Sequence, residues 1–279
     1  MTAPSLILVG YGNADPRVAD VGHELRAGLL RLRPELDVHV ASLDHAVVPD
    51  RGAFLDHGAP SGGQLVNTLV KRGVSEVVFV PLLLSDAFSA HAEVPALIAQ
   101  VQATHPQLAV VASRPIGPEA QLLAVVDRRL RDALRERRIS ELDGLVFSAA
   151  GSGDLRSNAL VARRARQWAT HHRLPCVTAF ATGSGPTTAE AVRTLRGQGR
   201  RHIAVGSWFL SPSELFARQA GLALDAGAVA VSAPLGAEAE VIETALARYL
   251  VAAMELVDLG VSGGEHETVP ARHLSVVGA

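Results

Sequence analysis

The chain has 279 residues, enough for one large domain or two of ordinary size, and its 48% hydrophobic content supplies a core packed by Leu, Val and Ala, because aromatics make up only 4%. A formal net charge of −2 gives no basic field for a nucleic acid, and the one cysteine, Cys176, excludes an intrachain disulfide and a thiolate metal cluster. No stretch approaches the roughly 20 apolar residues of a membrane span, and MTAPSLILVGYG lacks the positive region of a signal peptide, so a cytoplasmic protein is expected.

In chain order, SLILVG (5–10), DVHVASL (37–43), EVVFVPLLL (76–84) and LAVVASRPIG (108–117) read as strands. They are rich in Val and Leu without polar alternation, the pattern of a parallel sheet covered on both faces. Between them, RVADVGHELRAGLLRLR, QLVNTLVKRG, EVPALIAQVQATH and EAQLLAVVDRRLRDALRERR carry apolar residues at helical spacing. Such alternation predicts right-handed βαβ units. PDRGAFLDHGAPSGGQ (49–64) interrupts it and reads as a Gly/Pro-rich surface loop.

The second half repeats the programme. LVFSAAGSGDLRSNALVARRAR (145–166) parallels LILVGYGNADPRVADVGHELR, and PCVTAFATG (175–183) parallels DVHVASLDH. AVRTLRGQGRRHIAVGSWFL (191–210) parallels LVNTLVKRGVSEVVFVPLLL, with Gly199 matching Gly73, and VAVSAPLGAEAEVIETALARYL (229–250) parallels VVASRPIGPEAQLLAVVDRRL. The expected fold class is therefore α/β, with two duplicated domains that are each a small parallel sheet with helices on both faces. Their expected bounds are 1–138 and 139–254, joined near RERRISELDG, with an irregular tail over 255–279.

Tyr11 stands between Gly10 and Gly12 at the carboxyl end of the first strand, where α/β proteins keep their chemistry. Glycines there let backbone N–H groups approach an anion, and GSG at 151–153 matches. The third glycine of a dinucleotide fingerprint is missing, so a plain tight turn and a nucleotide site both fit. Asp44 and His45 follow the second strand; Ser89, His91 and Glu93 follow the third. Those loops converge with Tyr11 on one crevice, where they are either solvated loop residues or a group suited to a divalent metal or to proton transfer. RDALRERR (131–138) and ARRAR (162–166) read as wet helix faces, whereas Arg17, Arg114 and Arg156 sit beside strand-end loops and have the forked geometry to bind a carboxylate-rich ligand. Trp168 and Trp208 read as packing residues, and Cys176 as a small hydrophobe.

LILVGYGNADP, VVFVPLLLSDAFSAHAEVPAL and RPIGPEAQLL resemble the class II tetrapyrrole chelatases, the sirohydrochlorin ferro- and cobaltochelatases. In the second half AAGSGDLRSN, VRTLRGQGRRHIAVGSWFLSP and APLGAEAE resemble the long, fused two-domain members, so the likeness covers about residues 5–253. It implies two lobes with a cleft between them, where a macrocycle binds by its carboxylates and a divalent metal enters as two pyrrole protons leave. The family uses two histidines, one in Gly-His-Gly-Ser after the first strand and one six residues before an Ile-Pro proline. Here the first slot reads Gly10-Tyr11-Gly12-Asn13, and six residues before Pro95 stands Ser89, with Phe88 and Glu93 on the family's aromatic and acidic positions and Asp44 on its acidic residue after the second strand. A phenol or a hydroxyl donates a hydrogen bond at neutral pH and replaces neither an imidazole base nor a ligand.

The resemblance implies insertion of Fe2+ or Co2+, and also Ni2+, as substrate metal into sirohydrochlorin or a close relative, with no organic cofactor. Tyr11, Ser89, His91 and Glu93 are expected at the reacting centre, Gly10, Gly12, Asn13, Arg17, Phe88 and Arg114 against the macrocycle, and Asp44, His45 and His91 on the metal. The partner is a small polycarboxylate tetrapyrrole, with no nucleic acid or membrane, and the chain is a monomer or homodimer. With both histidines lost, insertion rests on a rebuilt site, in which His91 stands two residues from the lost position and His45 borders Asp44, and two further readings stay open, one from that loss and one from the Gly10/Gly12 turn. In one, a degenerate homologue binds a tetrapyrrole or other small anion without inserting metal, as a carrier, a regulator or an enzyme of another reaction. In the other, the chain is a nucleotide-binding module.

Overall fold

Leu6, Ile7, Leu8 and Val9 are at most 1% exposed, which only a strand covered on both faces achieves. They form β1 (Ser5–Tyr11), the centre of a parallel sheet whose order is β2-β1-β3-β4, with β2 Val38–Leu43, β3 Glu76–Pro81 and β4 Ala109–Ala112. A second parallel sheet has the same topology, β6-β5-β7-β8, with β5 Gly144–Ala149, β6 Cys176–Phe180, β7 Ile203–Trp208 and β8 Ala230–Val231. The computed structural model describes residues 3–11, 15–43, 60–85, 88–183 and 185–262. The fold is thus α/β with a duplicated lobe, as the repeat predicts.

The helices are α1 (Pro16–Leu32), α2 (Gly62–Lys71), α3 (Phe88–Thr104), α4 (Leu123–Glu136), α5 (Leu155–His172), α6 (Thr188–Gly197), α7 (Glu214–Asp225) and α8 (Ala239–Ser262). Ser61 and Thr187 open α2 and α6 with matched capping boxes, their side chains accepting from Gln64 N and Glu190 N. Gly73 (φ +86°) and Gly199 (φ +88°) stand just past the ends of the same two helices, so the repeat extends to their caps.

The last helix of each half crosses to the other sheet. α4 packs on β7 and β8, whereas α8 packs on β3, β4 and α1. Trp168 on α5 and His172 hold α4 through Asp127, the His172 Nε2–Oδ1 distance being 2.7 Å. Gly206 in β7 lets the Trp168 ring lie against the strand, because a Cβ there would sit 2.5 Å from Cη2. α8 is held by Tyr249, whose hydroxyl donates to Pro4 O (2.7 Å), and by Arg248, which donates to Pro115 O (2.8 Å) and pairs with Glu119. One core therefore runs through both lobes, from Leu6 and Leu25 through Val126 to Phe147, Trp168, Trp208 and Val241. Trp168 and Trp208 are packing residues, 1% and 2% exposed.

Four elements differ from the sequence expectation. The strand expected through residue 84 ends at Pro81, and the one expected through residue 117 ends at Ala112, shortly before Arg114-Pro115. Pro81 and Pro115 have no N–H to add, so past these points the ladder thins to single bonds, Leu82 N to Val9 O (2.8 Å), Ile116 N to Pro81 O (3.3 Å) and Gly117 N to Leu83 O (2.9 Å). Residues 88–92, expected in a loop, are the first turns of α3. α8 continues to Ser262, into the segment expected to be irregular. Among the described residues no helix is long and apolar enough to cross a membrane.

Candidate functional site

Parallel strands with helical crossovers put all their carboxyl ends on one edge, and the two sheets turn these edges toward each other. Between them lies a cavity of about 580 Å3, in the size range of small-molecule sites. Gly10, Tyr11, Val18 and Leu82–Ser85 form the first-lobe wall; Ala149–Gly153, Thr182, Trp208–Ser211, Ser213 and Leu215 form the other. The lining is largely apolar, with hydroxyls from Tyr11, Ser85, Ser152, Thr182, Ser211 and Ser213. Such a surface suits the faces of a flat, hydrophobic ring.

Tyr11 is the last residue of β1, half-buried and in register with Leu43, the last of β2. α1 then starts from Asp15, whose carboxylate accepts from Arg17 N (3.1 Å), while Pro16 occupies the first turn, where no N–H is needed. The matching turn of the second lobe holds Ala150, Gly151, Ser152, Gly153 and Asp154. Thr182 Oγ1 donates to Ala150 O (2.9 Å), Asn158 Nδ2 donates to Ser152 O (2.8 Å), and Ser152 Oγ accepts from Asp154 N (3.0 Å). Gly151 has φ +82°, and a Cβ on it would meet Thr182 O at 2.1 Å, so only glycine fits.

The structure brings Gly10 and Tyr11 to the cavity wall. Gly12, Asn13, Asp44 and His45 lie outside the described residues, as do the side chains of Phe88, Ser89 and His91, whose backbone opens α3. Glu93 follows them in α3, half-buried. Arg17 is committed to a fork on Asp15, Nε to Oδ1 and Nη2 to Oδ2, both 2.8 Å. Arg114 lines a separate groove of about 450 Å3 with Val94, Pro95 and Ile98, between α3 and the edge of β4. Among the described residues no three His, Cys, Asp or Glu side chains come together as a metal site. The second-lobe wall, Thr182 and Trp208–Ser213 in particular, was not singled out from the sequence; the repeat itself was the available signal, since it places the turn after β7 opposite the turn after β1.

Among the ionisable groups that depart from their ordinary behaviour, three bear on the lobes and the cleft between them. The Arg17 fork, together with the Glu214 and Arg17 amides, holds the Asp15 carboxyl below the usual carboxylate range despite some desolvation. Burial pushes the Asp127 carboxyl up, but bonds from His172 and Trp168 and the nearby His172 and His171 charges outweigh it and leave the group lowered. Burial pushes the Cys176 thiol up to about 12, so it behaves as the small hydrophobe its place at the head of β6 implies.

The chain is 23% identical over 216 residues to the sirohydrochlorin cobaltochelatase of Priestia megaterium, covering 77% of this chain and 66% of the relative. It thus spans about two thirds of that relative's length. Among solved structures it is similar to SirB from Bacillus subtilis with Fe3+ (TM-score 0.67, 19% identity, 94% of this chain and 98% of that one). It is also similar to the sirohydrochlorin chelatase SirB from Bacillus subtilis subspecies spizizenii in complex with cobalt (TM-score 0.65, 18% identity, 91% and 96%). The CbiX family model matches twice, over residues 5–133 and 144–252, once on each half of the repeat. With both halves matched, the chain belongs to the CbiX family.

Proposed function

We propose that the cleft takes sirohydrochlorin or a closely related carboxylate-bearing tetrapyrrole and that the protein inserts a divalent metal, Fe2+ or Co2+, into it as substrate. The observation that carries this reading is the cavity of about 580 Å3 at the carboxyl ends of β1 and β3, with Tyr11 on its wall at the slot of the family's first histidine. Insertion forms metal–nitrogen bonds as two pyrrole N–H protons leave, so the site must supply a donor for the arriving metal and an acceptor for each proton. Asp44 and His45 directly after β2, with His91 and Glu93 on α3, are the groups given those roles: imidazole and carboxylate hold the metal, and the same groups take the protons. Tyr11 donates a hydrogen bond to the bound ring. Gly10 leaves the macrocycle room beside that wall. Asn13 and Phe88 are assigned to the macrocycle by their places in the sequence alone; Arg17, forked onto Asp15, and Arg114, in the separate groove beside β4, are not.

Tyr11 also favours a second reading, in which the macrocycle binds and no metal enters, because a phenol is neither the base nor the ligand that an imidazole is. One experiment separates the two. Purified protein is mixed with sirohydrochlorin and Co2+ or Fe2+, and the absorption spectrum is followed against a protein-free control. Accelerated loss of the metal-free spectrum supports insertion. A saturable shift of the sirohydrochlorin bands without acceleration supports binding alone, and neither change overturns both readings.

A further inference from the structure

The lobes are joined in two different ways at the floor and at the rim of the cleft. On the floor, the Trp208 indole N–H donates to Leu84 O at 3.1 Å, and Trp208 is almost wholly buried in the shared core. Breaking that bond strands a buried donor, so the floor is fixed. At the rim, Asp15 from the first lobe reaches the second: its Oδ2 accepts from the backbone N–H of Glu214, the first residue of α7, at 2.8 Å. That amide belongs to the opening turn of a helix and has no partner within it, so a carboxylate there satisfies a real need. Glu214 is exposed, and water can replace Asp15 at small cost when the lobes part.

The bond also ties together two stretches of the cavity wall, one from each lobe. Val18, three residues after Asp15, and Ser213 and Leu215, on either side of Glu214, all line it. Arg17 grips the same carboxylate through two further bonds and thereby fixes the rotamer that reaches across. Resting on the reading that a tetrapyrrole uses this cleft, we propose that Asp15 and the Glu214 amide form a latch, which holds the rim of the cleft closed and must release for the macrocycle to pass. The shared core acts as the hinge, and opening is confined to the α1 and α7 ends of the lobes.

Two substitutions remove the latch by unrelated routes. Glu214→Pro deletes the one amide hydrogen involved, at a first-turn position where proline is favoured, and Ser213 (φ −64°, ψ 165°) already has the extended backbone that a residue before proline requires. Asp15→Ser keeps a good helix cap on α1 but is too short to cross the rim. In a Cys176→Ala background, spin labels on Glu24→Cys of α1 and Arg218→Cys of α7, both exposed, report the rim distance by pulsed electron spin resonance. The expected result is a longer, broader distance distribution in both latch variants, with a several-fold rise in the stopped-flow association rate of sirohydrochlorin. Distributions that match the wild type overturn the latch. Shifted distances with an unchanged association rate overturn its gating role. Shifted distances in a protein that binds no sirohydrochlorin in any form, wild type included, overturn the tetrapyrrole reading and leave the latch standing.

Discussion

The turn after β1 and the turn after β5 share one sequence pattern but offer the cleft different things. The first places Tyr11 on the wall and ties its helix cap to a charged partner, since Arg17 forks onto Asp15. The second places Ala150 at the position of Tyr11, and its loop is closed upon itself by Thr182, Ser152 and Asn158. One lobe presents a phenol to the cavity; the other is a wall of small residues shaped by its own hydrogen bonds. The exchanged helices sharpen the contrast. α4 is held in the second lobe by a carboxylate shared between an indole and an imidazole, and α8 is held in the first by a tyrosine hydroxyl and an arginine. Duplication supplied two equal frames, and side-chain choice has made them unequal.

The comparison breaks most visibly where the second lobe carries architecture. Trp168→Ala empties a fully buried site packed against Phe147 and removes a bond to Asp127, so it should cost about 4 kcal/mol in chemical denaturation. Gly151→Ala forces a side chain into a positive-φ turn and against the Thr182 carbonyl; a loss of about 2 kcal/mol is expected from the same measurement. On the other exchanged helix, Tyr249→Phe removes one neutral bond to Pro4 O, and about 1 kcal/mol should be lost, equally at pH 4 and pH 7. The smallest effect depends on pH. Because the Asp127 carboxyl is lowered in the folded chain, its contribution is complete above the ordinary carboxylate range and disappears as the pH falls through the lowered value. Calorimetry of Asp127→Asn should therefore show a Tm deficit at pH 6 that closes on acidification, and a deficit that stays constant would remove the charge from the account.

Much of this frame is legible in the residues. The Leu6–Val9 run fixes a strand buried on both faces, and the Gly73 and Gly199 match shows the repeat down to the caps of α2 and α6. The exchange of α4 and α8 is not legible, because an apolar stripe shows that a helix face is covered without showing which sheet covers it. The start of α3 was hidden for a related reason: Ser89, Ala90, His91 and Ala92 carry too weak an apolar stripe to separate helix from loop. In the candidate site, the place of Tyr11 follows directly from the strand–turn–helix pattern. The partner of Arg17 does not, since its place beside a strand-end loop suits a bound carboxylate as well as the Asp15 carboxylate on which the guanidinium lies.

The measurement that tests the account most directly is the rate of Co2+ insertion into sirohydrochlorin by wild-type protein and by Tyr11→Phe. The account predicts insertion faster than the protein-free control and a fall in kcat/KM of about tenfold when the phenol hydroxyl is removed, the loss of one hydrogen bond to the bound ring. Identical kcat/KM values for the two proteins would contradict it, because the phenol of Tyr11 would then give the bound ring no hydrogen bond that matters to the reaction.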